Sequence, residues 1–95
     1  MTRTTARATL SGVALASALL AAAPALAGPT CTDAPRDTWI GEEAMRRKIA
    51  DMGYRDLRVF KITAGNCYEI YGFDREGRRA EVYFHPVTGV VVVAK

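Results

Sequence analysis

The sequence predicts an α+β domain in which one helix packs on a four-stranded antiparallel meander sheet. Between Leu57 and Val93, four runs rich in Val, Ile, Tyr and Phe are separated by three breaks, and each break contains glycine. β-branched and aromatic residues favour strands, and glycine favours the turns between them. One amphipathic segment of helical period precedes the runs. A meander with a single covering helix is the simplest fold that uses all of these segments.

The second break predicts which residues face each other across the sheet. We interpret residues 75–77 as a three-residue loop with Gly77 in the left-handed conformation. This loop places apolar pairs on one face and polar or aromatic pairs on the other, whereas a shift of one residue would mix the faces. The final run, residues 90–93, shows no alternation and predicts no register. The predicted pairs are Tyr68–Phe84, Ile70–Val82, Gly72–Ala80, Glu69–Tyr83, Tyr71–Glu81 and Asp74–Arg78, with Ile62–Tyr68 and Phe60–Ile70 across the first break.

Residues 1–27 have the features of a cleavable signal peptide. Arg3 and Arg7 precede an uncharged apolar stretch, and residues 25–27 read Ala-Leu-Ala, a small-x-small cleavage site. A transmembrane anchor is the alternative, but the apolar stretch is short and rich in alanine. We therefore expect cleavage near Ala27, no membrane insertion afterwards, and a periplasmic or secreted product.

The chain that follows the predicted leader has 68 residues and a net charge of +1, since the leader holds two of the 13 basic residues and none of the ten acidic ones. So small a charge argues against nucleic acid as a partner. A chain of this length forms one domain with a thin core. We expect an irregular N-terminal arm over residues 28–38 and a folded domain over residues 39–95.

Two cysteines, Cys31 and Cys67, lie in the predicted exported part. An even cysteine count in an oxidising compartment predicts a disulfide, and two unpaired thiols are the alternative. A bridge that closes a loop of this length contributes about 3–4 kcal/mol in the chain-entropy description. A redox or metal pair is not expected, because the chain has no Cys-x-x-Cys and a single histidine.

The predicted helix begins after Gly41 and ends at Gly53. Met45, Ile49 and Met52 recur at helical spacing and form one apolar stripe. So short a helix needs tertiary contacts, so we expect the stripe to lie on the apolar sheet face, with Gly72 and Ala80 leaving room for the helix backbone. The sheet residues predicted to be buried under the stripe are Phe60, Ile62, Ile70, Val82 and Phe84. The predicted ion pairs on the exposed side are Glu42–Arg46 and Glu43–Arg47.

The opposite sheet face is the candidate binding surface. Aromatic residues mixed with charges are typical of contact patches, although a plain solvent face stabilised by cross-strand pairs would look the same. Glu69 and Glu81 could form an acid–base pair, but on an open sheet we expect a solvated charge pair. His85 is expected to be a polar strand end, with a ligand role as the alternative. The candidate binding residues are Glu69, Tyr71, Arg79, Glu81, Tyr83 and His85.

The residues indicate no enzyme. His85 has no serine or cysteine partner at a recognisable spacing, and the chain lacks a glycine-rich phosphate loop and a cluster of metal ligands. We therefore predict no catalytic residue, no cofactor and no metal site.

The order of the short motifs resembles the PepSY domain, a module of thermolysin-type peptidase propeptides and of small exported bacterial proteins. The resemblance covers Trp39 to Val93 and is carried by the order and spacing of the short motifs along this range. It is most similar to the stand-alone periplasmic variety, although His85 stands where that family commonly has an acid. The resemblance implies a helix against an antiparallel sheet and, more weakly, regulation or inhibition of peptidases. The motifs that carry it are Trp39 to Ala44, Cys67-Tyr68-Glu69-Ile70, Asp74 to Gly77, Glu81 to Phe84 and Pro86 to Gly89.

These observations favour an exported, non-enzymatic binding module whose partner is a protein, and the resemblance implies a peptidase. The expected contact surface is the outer sheet face or the last strand, whose open edge also permits self-association. The alternative is an envelope protein that binds a small ligand or a metal through His85 and nearby carboxylates.

Overall fold

The computed structural model describes residues 28–95, so the predicted signal peptide and its cleavage site lie outside the described residues. The four strands form one antiparallel sheet in the order β1-β2-β3-β4, which confirms the predicted meander. No helix within residues 28–95 is long and apolar enough to cross a membrane. The elements are a 3₁₀ turn at Arg36–Thr38, α1 at Glu42–Asp51, β1 at Arg55–Ile62, β2 at Tyr68–Phe73, β3 at Arg79–Phe84 and β4 at Val91–Ala94.

The register of the central hairpin agrees with the prediction at every pair. Ile70 lies opposite Val82 and Glu69 opposite Tyr83, and the N–H of Asp74 donates to the carbonyl of Arg78. The predicted pairs across the first break are also present. Gly77 has a φ of 80°, the left-handed conformation that the three-residue loop requires.

The helix is positioned by its ends. Gly41 is its N-cap, and the chain turns away after Met52 at Gly53, as predicted. The guanidinium of Arg75 donates to the carbonyl oxygen of Met52 at 3.1 Å and so holds the helix end to the β2–β3 turn. The Glu42–Arg46 ion pair forms at 2.9 Å. Glu43 and Arg47 do not pair among the described residues.

The core lies between the helix and the inner face of the sheet. Met45, Ile49, Ile70, Val82 and Phe84 are fully buried, as predicted. Burying such side chains stabilises the fold by about 1.5–3 kcal/mol each. Tyr68 joins them and donates its hydroxyl to the carbonyl of Ile40, while Trp39 packs edge-on against its ring.

One predicted core residue is not in the core. Ile62 is 39% exposed, and Phe60 is only partly buried. Both belong to β1, an edge strand with a neighbour on one side only. Ile62 is the last residue of that strand, where the adjacent core position is filled by Tyr68, whose ring packs against those of Trp39 and Phe60.

The role predicted for Gly72 was also wrong. The missing side chain makes room for strand β1 and not for the helix, since a Cβ at Gly72 would lie 2.8 Å from Leu57 Cδ2 and 3.0 Å from the Arg55 carbonyl oxygen. Pairing is irregular between Arg55 and Val59, and Asp56 has a positive φ of 52°. This bulge brings Leu57 into the core beside Phe60, although their odd spacing in a regular strand would put them on opposite faces.

The N-terminal arm is tied to the sheet by the predicted disulfide. Cys31 and Cys67 are bonded, with their Cα atoms 5.1 Å apart. The N–H of Cys31 also donates to the carbonyl of Gly65 at 2.8 Å, and the amide of Asn66 donates to the carbonyl of Thr32 at 3.2 Å. The bridge and these hydrogen bonds hold the arm against the β1–β2 turn.

Candidate functional site

The outer face of the sheet, which is turned away from α1, divides into two halves. We call the half beside the arm the covered half and define it by Glu69 and Tyr83. The other half, at the β2–β3 turn, we call the open half. Its residues are Arg58, Tyr71, Phe73, Arg79 and Lys95. Glu81 lies on the boundary between the halves.

The covered half is buried, which corrects the expectation of an exposed surface there. Glu69 and Tyr83 are each only 3% exposed. The ring of Tyr83 lies against the arm, so closely that a Cβ at Gly28 would be 2.6 Å from its Cε2 atom. The arm therefore reaches across the outer face as far as Tyr83.

Glu81 links the two halves through its carboxylate. Its Oε2 atom accepts hydrogen bonds from the hydroxyl of Tyr83 at 2.9 Å and from that of Tyr71 at 3.1 Å. Two lysines flank the pair of carboxyls: Lys61 Nζ is 3.6 Å from Glu69 Oε1, and Lys95 Nζ is 4.0 Å from Glu81 Oε1. Glu81 thus joins β2 and β3 through two tyrosine hydroxyls, and the lysines add ion pairs from β1 and from the residue that follows β4.

The environments of the two glutamates move their pKa values apart. Burial raises the pKa of Glu69, and its hydrogen bond with Glu81 raises it further. The same hydrogen bond and that of Tyr83 lower the pKa of Glu81. Burial and the bond to Glu81 in turn raise the pKa of Tyr83. Of the two carboxyl groups, Glu69 therefore keeps its proton to a higher pH than Glu81, since two adjacent charges would repel each other in a shielded site.

The predicted solvated charge pair is therefore wrong. A split carboxyl pair can supply an acid and a base, but Glu69 is shielded from solvent and Glu81 is bound by two tyrosines. In the folded chain, the hydrogen bonds and ion pairs of the two glutamates link neighbouring strands at the covered half.

The open half is a shallow depression of about 550 Å³. Tyr71 is 40% exposed beside it, as the sequence predicted. The Arg58 guanidinium lies 5.8 Å from the centre of the Phe73 ring, and Arg79 pairs with Phe73 on its other side. The lining of the depression thus combines two aromatic rings with three cationic side chains, the third being Lys95.

Three residues of the open half were missed by sequence reasoning. Phe73 could have been found, since strict alternation from Glu69 and Tyr71 puts it on the outer face. Arg58 could not, because the bulge in β1 changes the face on which it lies. Lys95 could not either, because four successive valines hide the register of β4; its backbone bonds to Glu81 in both directions.

His85 lies apart from the open half and caps a turn. Its Nδ1 atom accepts hydrogen bonds from the N–H groups of Val87 at 3.2 Å and Thr88 at 3.4 Å. This geometry is what a polar strand end does, and it leaves one ring nitrogen for any other contact. Within residues 28–95, no group of three or more His, Cys, Asp or Glu side chains could hold a metal ion.

A helix against an antiparallel sheet is the architecture that the resemblance implied, and the four-stranded meander and the disulfide are those predicted from the residues themselves. Comparison with protein families agrees: the chain matches the family described as peptidase propeptide and YPEB domain over residues 4–95. The chain belongs to that family, which confirms the predicted PepSY relationship. No curated protein and no solved structure matches it.

Proposed function

We propose that the chain is an exported, non-enzymatic regulatory module that binds a peptidase through the open half of its outer sheet face. The observation that carries the proposal is the exposure of Tyr71 over a depression bordered by arginines. Tyrosine and arginine are among the residues that are enriched where protein interfaces gain their binding energy. Membership of a peptidase-propeptide family supports a peptidase as the class of partner.

The helix is a poor alternative surface. Its apolar stripe is committed to the core at Met45 and Ile49. On its exposed side, Arg46 is held by Glu42 at 2.9 Å and by the ring of Phe60, 4.6 Å from its guanidinium. A partner would have to displace these contacts, whereas in the open half Tyr71 is 40% exposed and Arg79 makes no ion pair among residues 28–95.

Export is supported by two independent features. The predicted leader over residues 1–27 has the charge and hydropathy pattern of a signal peptide. The Cys31–Cys67 bond belongs in an oxidising compartment such as the periplasm or the extracellular space.

Strand β4 provides an accessory contact in this proposal. Val90, Val91 and Val92 are 55%, 42% and 40% exposed, and β4 has β3 as its one neighbour in the described sheet. Such an edge can add a strand from a partner or from a second copy. Val92→Lys should abolish any self-association seen by sedimentation, because charged edge residues oppose strand pairing. Self-association unchanged by this variant would exclude the edge.

The test is inhibition and capture of defined peptidases. The tagged chain, expressed with its leader and recovered after export, is mixed with secreted metallopeptidases of the thermolysin type and of unrelated types. We expect slowed substrate cleavage and co-purification with at least one of them. Tyr71→Ala should weaken capture about tenfold, a loss of ~1.4 kcal/mol. Arg47→Ala, an exposed change on the helix, is the matched control and should leave capture unchanged. Equal loss of capture in both variants, or loss of capture in Arg47→Ala alone, would exclude the open half as the binding surface.

A further inference from the structure

The arginines around the open half differ in what they contact. Arg75 is bound to the helix end through the carbonyl of Met52, Arg78 is paired with Asp74 at 3.1 Å, and Arg55 donates to the carbonyl of Arg75 at 2.8 Å. Arg58 and Arg79, by contrast, make no ion pair among the described residues. Two exposed positive side chains thus lie on the two strands that flank Phe73, Arg58 on β1 and Arg79 on β3.

The one acid in the lining of the depression does not neutralise the two arginines. Glu81 borders the depression, but its Oε2 atom already accepts two tyrosine hydroxyls, and its Oε1 atom is 4.0 Å from Lys95 Nζ. Glu69, in the covered half, is buried, while Asp56 and Glu76 line a neighbouring depression that Arg58 also borders. The open half therefore carries an excess of positive charge, although the chain after the predicted leader is nearly neutral.

We propose that the open half binds an acidic, extended segment of a partner protein, with carboxylates at Arg58 and Arg79 and an apolar side chain over Phe73 and Tyr71. Arginine suits this role because its planar guanidinium matches a carboxylate with two parallel hydrogen bonds. The segment crosses the strands, because Arg58 lies on β1, Phe73 on β2 and Arg79 on β3. This inference rests on the proposed function and specifies the chemistry of its partner.

The experiment uses two synthetic peptides as probes: one of alternating Glu and Tyr, and one in which Lys replaces each Glu. Binding to the exported chain is followed by fluorescence anisotropy at low and high salt. We expect the acidic peptide to bind, the basic peptide to fail, and salt to weaken binding. Arg58→Gln and Arg79→Gln should each weaken binding about fivefold. Arg47→Gln, which removes the same charge from the helix, should have no effect.

Three outcomes would overturn the inference. They are equal binding of both peptides, equal loss from Arg47→Gln and Arg79→Gln, and binding only to vesicles rich in phosphatidylglycerol, which would make the surface a membrane contact. The test also separates this inference from the proposed function. Peptidase capture that depends on Tyr71 but not on Arg79 would retain the function and remove the acidic segment. Arg79-dependent binding of the acidic peptide without any peptidase capture would retain the acidic segment and exclude a peptidase as the partner.

Discussion

The covered half and the open half of the outer face lie on one sheet, have a similar residue pattern and were both predicted to be exposed, yet the covered half is buried. Tyr83 and Tyr71 both donate their hydroxyls to Glu81 Oε2, but the first is 3% and the second 40% exposed. The arm accounts for the difference, because it is fastened at Cys31 and its Gly28 lies against the ring of Tyr83. Alternation along a strand therefore tells which face a side chain occupies, and a remote segment decides whether that face is core or surface.

The largest effect should come from truncating the two tyrosines. Tyr83→Ala removes a buried ring and should cost about 3–5 kcal/mol of unfolding free energy, while exposed Tyr71→Ala should stay within about 0.5 kcal/mol. Urea denaturation measures both. Should Tyr83→Ala fail to fold, Tyr83→Phe keeps the ring and should lose only about 1 kcal/mol with its hydrogen bond. Similar costs for the two alanine variants would contradict the division of the face. A variant with both tyrosines replaced by alanine is therefore unsuitable as a binding test, because the loss of Tyr83 would destabilise the fold.

Most of the sheet could be predicted because local rules determine it. The three-residue loop ending at Gly77 and the apolar alternation around Ile70 and Val82 specify the central register without reference to any distant contact. The covering of Tyr83 could not be predicted, since Gly28 and its neighbours have no periodicity and reach the sheet through a disulfide. The bulge before Val59 left one overlooked signal: Leu57 and Phe60 are both apolar at an odd spacing.

The open half was predicted only in part, because some of its residues lie where the sequence does not determine the register. Tyr71 and Arg79 belong to the central hairpin, whose register the sequence determines. Arg58 and Lys95 belong to the two edge strands, where a bulge and a run of valines remove the pattern.

The next effect should come from releasing the arm. Replacing both Cys31 and Cys67 by serine should lower the unfolding free energy by about 3–4 kcal/mol, with the melting temperature reduced by many degrees. Hydrogen exchange or tyrosine fluorescence should then show Tyr83 becoming accessible while Tyr71 changes little. Mass spectrometry of the exported parent should find no free thiol. If Tyr83 stays protected in the serine variant, the packing of the arm does not depend on the bridge.

A smaller effect should appear as a dependence on pH. The folded-state pKa of Glu69 is raised by burial, so its contribution to stability is fully present below the pKa of the unfolded carboxyl and is lost as pH rises through the folded value. The pKa of Glu81 is lowered, so its contribution is present above the unfolded value and is lost as pH falls through the folded one. The summed contribution of the pair should therefore be largest at pH values between the folded-state pKa of Glu81 and the folded-state pKa of Glu69.

Glu69→Gln tests this dependence because glutamine cannot ionise. Urea denaturation from weakly acidic to neutral pH should show the parent losing stability relative to Glu69→Gln as pH rises. Glu43→Gln, on the exposed side of the helix, is the control and should run parallel to the parent. Parallel curves for the parent and Glu69→Gln would mean that no proton is held in the covered half.

The smallest effect should lie at the turn that follows β3. His85 Nδ1 accepts the N–H groups of Val87 and Thr88, which is the bonding that an aspartate makes in an Asx turn. His85→Ala should therefore cost about 1 kcal/mol, comparable to the loss of a helix cap, whereas His85→Asp should be close to neutral. The backbone bonds between His85 and both Val90 and Gly89 persist in either variant, which limits the loss. Thermal denaturation of the two variants beside the parent measures the difference. If alanine and aspartate melt alike, the turn is held by its backbone, and the ring of His85 is left for a role in binding.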